Sequence, residues 1–252
     1  MHSVDELFSV VVRERDDDAR WGAIQALHAL GTREVFERAV GLCRAPGAPE
    51  RIAGADILGQ LNAYSDDAMN TLVSMLSDSE PTVVEAVVHA LGQQQDARTI
   101  EALARVAAHD ASNVRWAVAT ALEDLIGDER AERVLLSLMR DNDTSVRDRA
   151  TFAVGSLSDH DTPRIRAALF ERLRDEERCV ANEAALGLAR RRDARAIPYL
   201  AIAVESLQGE ELDEAVDEIT SPDMLPELVK ARDALGDAHG LSKLIERCRA
   251  RA

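Results

Sequence analysis

Two twelve-residue segments of the chain are nearly the same: ARWGAIQALHAL from Ala19 and VRWAVATALEDL from Val114. Arg20 aligns with Arg115, Trp21 with Trp116, Ala26 with Ala121, Leu27 with Leu122 and Leu30 with Leu125, at an offset of 95 residues. That offset is three times about 32, and self-similarity at a period of about 20–50 residues marks a chain built from stacked repeats. The intermediate copies are present. Anchored on the residue aligned with Leu27, the series runs Leu27, Leu58, Leu91, Leu122, Val154 and Leu188, with spacings of 31, 33, 31, 32 and 34 residues.

Each unit reads as two helices. In PTVVEAVVHALGQQQDARTIEALARVAAHD, apolar residues recur at helical spacing from Pro81 to Leu91, a break runs from Gly92 to Asp96, and a second periodic run starts at Ile100. The same template predicts first helices over Val4–Arg13, Glu34–Cys43, Asp67–Leu76, Ala97–Ala108, Glu129–Arg140, Thr162–Arg174 and Ala194–Ser206, with a second helix after each short Asp-rich turn. Aromatic residues make up only 3% of the chain, so its core must come from Ala, Leu, Val and Ile on closely packed helices. Beyond Leu207 the pattern weakens into EELDEAVDEI, Pro222–Leu235 and Leu241–Arg249, as terminal repeats do. The expectation is about six clear repeats over residues 1–207 and a degenerate capping segment over 208–252.

A formal net charge of −16 repels phosphate backbones and anionic membranes, which disfavours nucleic acid as a partner. The acidic start MHSVDELFSVVVRERDDD is not a secretory signal, and no segment nears the ~20 apolar residues of a membrane span. A cytoplasmic monomer is expected. Cys43, Cys179 and Cys248 are odd in number and far apart, which fits reduced core thiols rather than disulfides or a zinc site.

ALGQQQDARTIEAL, VRDRATFAVGSLSD and LARRRDARAIPYL resemble the HEAT repeat, in particular its bacterial phycobilisome-lyase-like variant: an Asp-rich turn, Val-Arg, spaced alanines, Ala-Leu-Gly, then Asp-x-x-Ala and a leucine run. The resemblance covers about four fifths of the chain and implies an all-α, right-handed α-α superhelix whose second helices line the concave wall. It says little of function, because the motif residues are those that hold repeats together.

Numbered from Ala19, Glu50, Val83, Val114, Val146 and Val180 as first place, places one, five, eight, nine and twelve share one helix face at about 100° per residue. That face holds Ala23, Ala26, Leu27 and Leu30, or Val118, Ala121, Leu122 and Leu125, and is expected to be buried. The second place is Arg20, Arg51, Arg115 or Arg147, with Val84 and Ala181 as exceptions. The resemblance implies that these arginines form a structural ladder with the turn aspartates Asp78, Asp110, Asp141, Asp143 and Asp175.

Places three, seven and ten lie opposite the buried face, and the candidate binding residues are drawn from them: Trp21, Gln25, His28, Asp56, Glu85, His89, Trp116, Thr120, Glu123, Asp148, Phe152 and Asn182. Both tryptophans of the chain fall in this stripe, and it contains no Lys or Arg. An exposed aromatic set among carboxylates and imidazoles is what a binding surface looks like. Chemistry of other kinds finds no support. No phosphate-cradling glycine loop, nucleophile elbow or paired CxxC occurs, so no catalytic residue, metal or cofactor is assigned. His109-Asp110, His160-Asp161 and the Asp141–Asp143 run sit in turns where helix-capping Asp is expected anyway. Arg190, Arg191, Arg192 and Arg195 read as a solvated helix terminus.

The reading is therefore a non-enzymatic scaffold whose acidic, aromatic-containing groove takes a protein or peptide with basic and apolar groups. Two alternatives come from resemblance: a bilin-lyase-like protein that handles a tetrapyrrole on a partner, and a HEAT-like DNA glycosylase, suggested by Trp21, Trp116, Asp148 and Phe152. The absence of basic residues from the stripe weighs against the glycosylase.

Overall fold

A computed structural model describes residues 3–14, 16–61, 64–206, 210–236 and 240–251. Among these residues the regular structure is entirely helical, and the chain divides into two compact units, Met1–Val134 and Leu135–Ala252. The expected repeat–cap boundary at 207/208 lies outside the described residues.

The N-terminal unit holds helices α1 (Val4–Arg13), α2 (Asp17–Leu30), α3 (Arg33–Leu42), α4 (Ala48–Gln60), α5 (Ser65–Met75), α6 (Pro81–Gln93), α7 (Ile100–Val106) and α8 (Ser112–Leu122). Helix α9 (Glu129–Leu138) spans the residues at which the units are divided. The C-terminal unit continues with α10 (Thr144–Gly155), α11 (Pro163–Arg172), α12 (Arg178–Arg190), α13 (Ile197–Ser206), α14 (Glu210–Ile219), α15 (Leu225–Leu235) and α16 (Leu241–Ala250). Polar caps start many of them. The side chains of Asp16, Thr32, Asp143 and Thr162 accept the otherwise unpaired N–H groups of Ala19, Val35, Val146 and Ile165. The helices expected from Ala97 and Ala194 begin as 3-10 turns, because Asp96 and Asp193 each accept the N–H of the arginine two residues on and grip its guanidinium.

In the N-terminal unit α2 packs on α4, α4 on α6 and α6 on α8, with α1, α3, α5 and α7 each against the second helix that follows it. In the C-terminal unit α10 packs on α12 and α12 on α14. All six anchor residues of the periodic series, from Leu27 to Leu188, are 0% exposed. Leu30 departs from the expected buried face and is 43% exposed. It is the last residue of α2 before the left-handed Gly31, and α2 packs on α1 and α4 while Ala19, Gly22 and Ala29 on its remaining flank are exposed.

Neighbouring second helices approach almost to backbone contact. A Cβ added at Gly59 would lie 2.8 Å from the Cα of Ala90, and one at Gly92 would lie 2.8 Å from the Cβ of Ala121. One at Gly187 would lie 2.6 Å from the Cα of Gly155. At the tenth place Gly59, Gly155 and Ala189 are buried and so not part of an open stripe, while His28, Gly92 and Glu123 are half-buried.

The second-place arginines tie successive turns together. Arg51 donates from Nε and Nη2 to the two Asp78 carboxylate oxygens at 2.7 and 2.9 Å, and from Nη1 to the carbonyls of Ala45 and Pro46. Arg147 repeats this with Asp175 at 3.1 and 3.0 Å and the carbonyls of Asp141 and Asn142. Arg115 holds the carbonyls of His109 and Asp110. Arg20 differs: it donates to Asp56, a residue within α4, at 3.0 Å and to the Val11 carbonyl. The turn ahead of α4 reads Arg-Ala-Pro-Gly and offers it no carboxylate. Of the other turn aspartates, Asp143 caps α10 instead.

These contacts generate two predictions. Gly92→Ala should destabilise the protein by about 1–3 kcal/mol through overpacking, whereas Gly22→Ala, exposed in α2 with nothing within 4 Å of the new methyl, should stabilise it by about 0.5–1 kcal/mol. Urea unfolding of the two variants measures both signs, and a stabilised Gly92→Ala would mean that the helices do not approach as described. Burial works against ionisation of Asp175, but the hydrogen bonds from Arg147 and the Glu177 amide and the charges of Arg147 and Arg172 outweigh it, so its pKa lies below the ordinary value. A folded pKa below the unfolded one of about 3.9 gives stability that is present above that pH and lost as pH falls through the folded pKa. Asp175→Asn should therefore cost on the order of 2 kcal/mol near neutral pH, with the gap to wild type closing below about pH 4. A gap that is constant from pH 7 to pH 3 in urea titrations would refute the ion pair's role.

Candidate functional site

The second helices of the N-terminal unit and the 3-10 turn that follows α8 carry nine of the candidate binding residues. Trp21, near the start of α2, is 48% exposed, the most solvent-accessible aromatic position among the large apolar residues of this unit. Gln25, one turn on, is exposed, while His28 is half-buried at the end of the same helix. Beside Trp21 lies a recess of about 270 Å³. Its floor is Ile24 and Ala90, both buried; its walls include the Arg20–Asp56 pair, His89 and Gln93, and Asp17 completes the lining. Burial raises the Asp56 carboxyl above its ordinary value, against the opposing charge and hydrogen bond of Arg20. The His89 imidazole is held below its ordinary value by burial, which the nearby Glu85 charge does not overcome, so His89 is neutral at pH 7.

His89 also meets Trp116 of α8 edge-on, with ring centroids 6.1 Å apart and planes at 64°. Trp116 is accordingly half-buried, and the chain's two tryptophans occupy different environments. Thr120 donates its hydroxyl to the Trp116 carbonyl at 3.3 Å, and Glu123 begins the 3-10 turn that ends the helix. Glu85 accepts a 2.5 Å hydrogen bond from the Asn113 amide at the start of α8. The geometry thus gathers Trp21, Asp56 and His89 around one recess and links Trp116 to it through His89.

The recess also contains residues that the stripe left out: Asp17, Arg20, Ile24, Ala90 and Gln93. One signal for the Arg20–Asp56 pair does stand in the sequence, since Arg20 is the second-place arginine whose next turn lacks an aspartate. Its consequence is that the wall is less acidic than its own members imply, because Asp56 has a cation at hand.

The remaining three candidates belong to the C-terminal unit. Phe152 on α10 has the Arg149 guanidinium over its ring at 5.4 Å, and Asn182 is half-buried on α12. Asp148 keeps one buried oxygen without a hydrogen-bond partner. Cys179, expected in the core, is exposed at the first turn of α12. Partial burial, then the hydrogen bond and charge of Asp148, push its thiol above the ordinary range, so the thiolate is disfavoured.

The arginine cluster is a solvated terminus only in part: Arg192 and Arg195 are exposed, whereas Arg191 is buried. Arg191 is only 7% exposed and donates to the carbonyls of Val154, Gly155, Ser158, His160 and Gly187 at 2.7–3.2 Å. A cation therefore sits on the carbonyl end of α10, where the helix dipole favours it. Arg190 donates to the Ser156 carbonyl, Arg192 to Glu218, and Arg195 to Asp193. His109 accepts the Ala111 N–H, and Asp161 pairs with Arg166. Among the described residues no three His, Cys, Asp or Glu side chains converge on a metal position.

Comparison with known proteins places this architecture. Protein YibA of Escherichia coli (strain K12) is 27% identical over 243 residues, which span 92% of this chain and 80% of that protein. The X-ray structure of E. coli YibA superposes with a TM-score of 0.76 at 24% identity, covering 98% of this chain and 93% of that one. A crystal structure of a Kap121p mutant shares the fold at a TM-score of 0.68 and 15% identity, over 90% of this chain and 30% of the other. HEAT repeats match three overlapping stretches, residues 46–123, 69–155 and 132–219, which together cover well over half of the sequence and coincide with the helix pairs and turn-spanning arginines described above. The chain is a member of the HEAT-repeat family, with an all-α solenoid fold.

Proposed function

We propose that this chain is a non-enzymatic scaffold that holds a segment of a partner protein along the second-helix wall of its N-terminal unit. The observation that carries the proposal is Trp21, a large apolar side chain left 48% exposed at the lip of a recess while Leu27 of the same helix and Leu58, Leu91 and Leu122 of the neighbouring second helices are buried. An exposed tryptophan rimmed by polar groups suits a binding surface, where it supplies apolar area at small cost in conformational entropy. Successive α2, α4, α6 and α8 helices give the wall the length to take an extended segment or a helix. The exposed Asp17 and the half-buried Glu85 and Glu123 favour a segment in which Lys or Arg alternate with apolar groups, whereas Asp56 already has Arg20 as its partner. Protein partners of HEAT-type solenoids make the same reading natural, since long stacked surfaces engage macromolecules without a catalytic set. No helix among the described residues is long and apolar enough to cross a membrane.

A photo-crosslinking amino acid at the exposed Gln25 tests this in native lysate. Wild type should give discrete protein adducts that Trp21→Ala abolishes and that weaken as salt rises, because exposed charges are screened over about 8 Å at physiological ionic strength. Identical adducts from wild type and Trp21→Ala would remove the wall from the account.

A further inference from the structure

We infer that the recess beside Trp21 seats one long cationic side chain of the partner, an arginine by preference; this rests on the scaffold reading and assigns chemistry to its centre. Two carboxylates, Asp17 and Asp56, line the recess against one guanidinium, that of Arg20. Arg20 is committed to Asp56 and to the Val11 carbonyl, so Asp17 is the carboxylate left for an incoming charge. No cation among the described residues pairs with it, and it is exposed. His89 is neutral at pH 7 and does not offset it. The shape supports the same occupant. Ile24 and Ala90 give the lining an apolar part for a chain of methylenes, Trp21 adds its indole, and Gln93 adds an amide. A guanidinium matches this arrangement better than an ammonium, because it is planar, weakly hydrated, stacks on an indole and bonds a carboxylate in a bidentate manner. An acidic side chain would meet the surplus negative charge, and a purely apolar one would leave Asp17 facing its desolvated flank.

The probe is a small peptide, acetyl-Ala-Arg-Ala-amide, titrated into the intact chain while the indole N–H signals are followed by NMR. The chain has two tryptophans, so two signals are expected, and Trp21→Phe assigns the one that matters. The arginine peptide should move the Trp21 signal in a saturable way. Its citrulline counterpart, equal in shape but uncharged, should bind about fivefold more weakly. Asp17→Asn, which changes one exposed residue of the first turn of α2, should weaken the arginine peptide by a similar factor, with the remaining amide signals in place to show an intact fold. Equal binding of citrulline and arginine peptides, an Asp17→Asn variant that binds as wild type, or a larger response to acetyl-Ala-Glu-Ala-amide would each overturn the inference. Failure of the arginine peptide alongside crosslinks that still depend on Trp21 sinks the arginine seat and leaves the wall standing; crosslinks indifferent to Trp21 sink the wall.

Discussion

The structure depends on how closely consecutive second helices can approach. Gly59 faces Ala90, Gly92 faces Ala121 and Gly155 faces Gly187, each pair so near that no added methyl fits without movement. Small residues at these places let the backbones come together, and close approach brings the turn of one repeat within reach of the arginine of another. That is why Arg51 can hold the carbonyls ahead of its own helix and, in the same hydrogen-bond fork, the Asp78 carboxylate of the next turn. The abundance of alanine and the scarcity of aromatics follow from the same constraint, since a large side chain in place of Gly59, Gly92, Gly155 or the small residue each one faces would push the helices apart.

Charge is handled locally in this strongly acidic chain. Asp78 and Asp175 are nearly enclosed yet stay ionised because guanidinium and backbone N–H groups satisfy them, and in each the burial that opposes ionisation is outweighed. Asp96, Asp128 and Asp193 grip the arginine two residues on at the entry to a following helix. Arg191 shows the opposite solution, a buried cation held by carbonyl oxygens at a helix end. Such pairing consumes much of the surface charge before a partner arrives, so the net charge overstates the field on the wall. Asp17 beside Trp21, which pairs with no cation among the described residues, acquires importance out of proportion to its share of the total.

The repeat, the helix pairs and the buried anchors were legible in the sequence because they rest on local periodicity: a 32-residue recurrence, apolar spacing within each helix, and Asp, Thr or Pro at helix starts. The family followed from the same motifs. Exposure was legible only in part. A helical wheel separates inward from outward faces, but it cannot tell an outward face covered by a neighbouring helix from one open to water, so Gly59, Gly155 and Ala189 are buried where the wheel predicts an open stripe and Leu30 is exposed where it predicts burial. Cys179 and Arg191 exchanged places for a related reason. One stands at a helix start with its flank uncovered, and the other follows a helix end that tucks under the loop at residues 156–160.

The sequence by itself determined the all-α repeat architecture and which residue types recur at each place, since both are encoded within about one repeat length. Only the tertiary structure decided the partners. Arg20 bonds to a residue thirty-six positions away because the intervening turn lacks an aspartate, and Arg191 reaches back to Val154 across a whole repeat. Whether a carboxylate is free, paired or buried is set by distances and desolvation between elements far apart in the chain, and those terms have no signature in local periodicity. The recess at Trp21 is such a product: its lining comes from α2, α4 and α6, and its charge depends on a pairing between two of them.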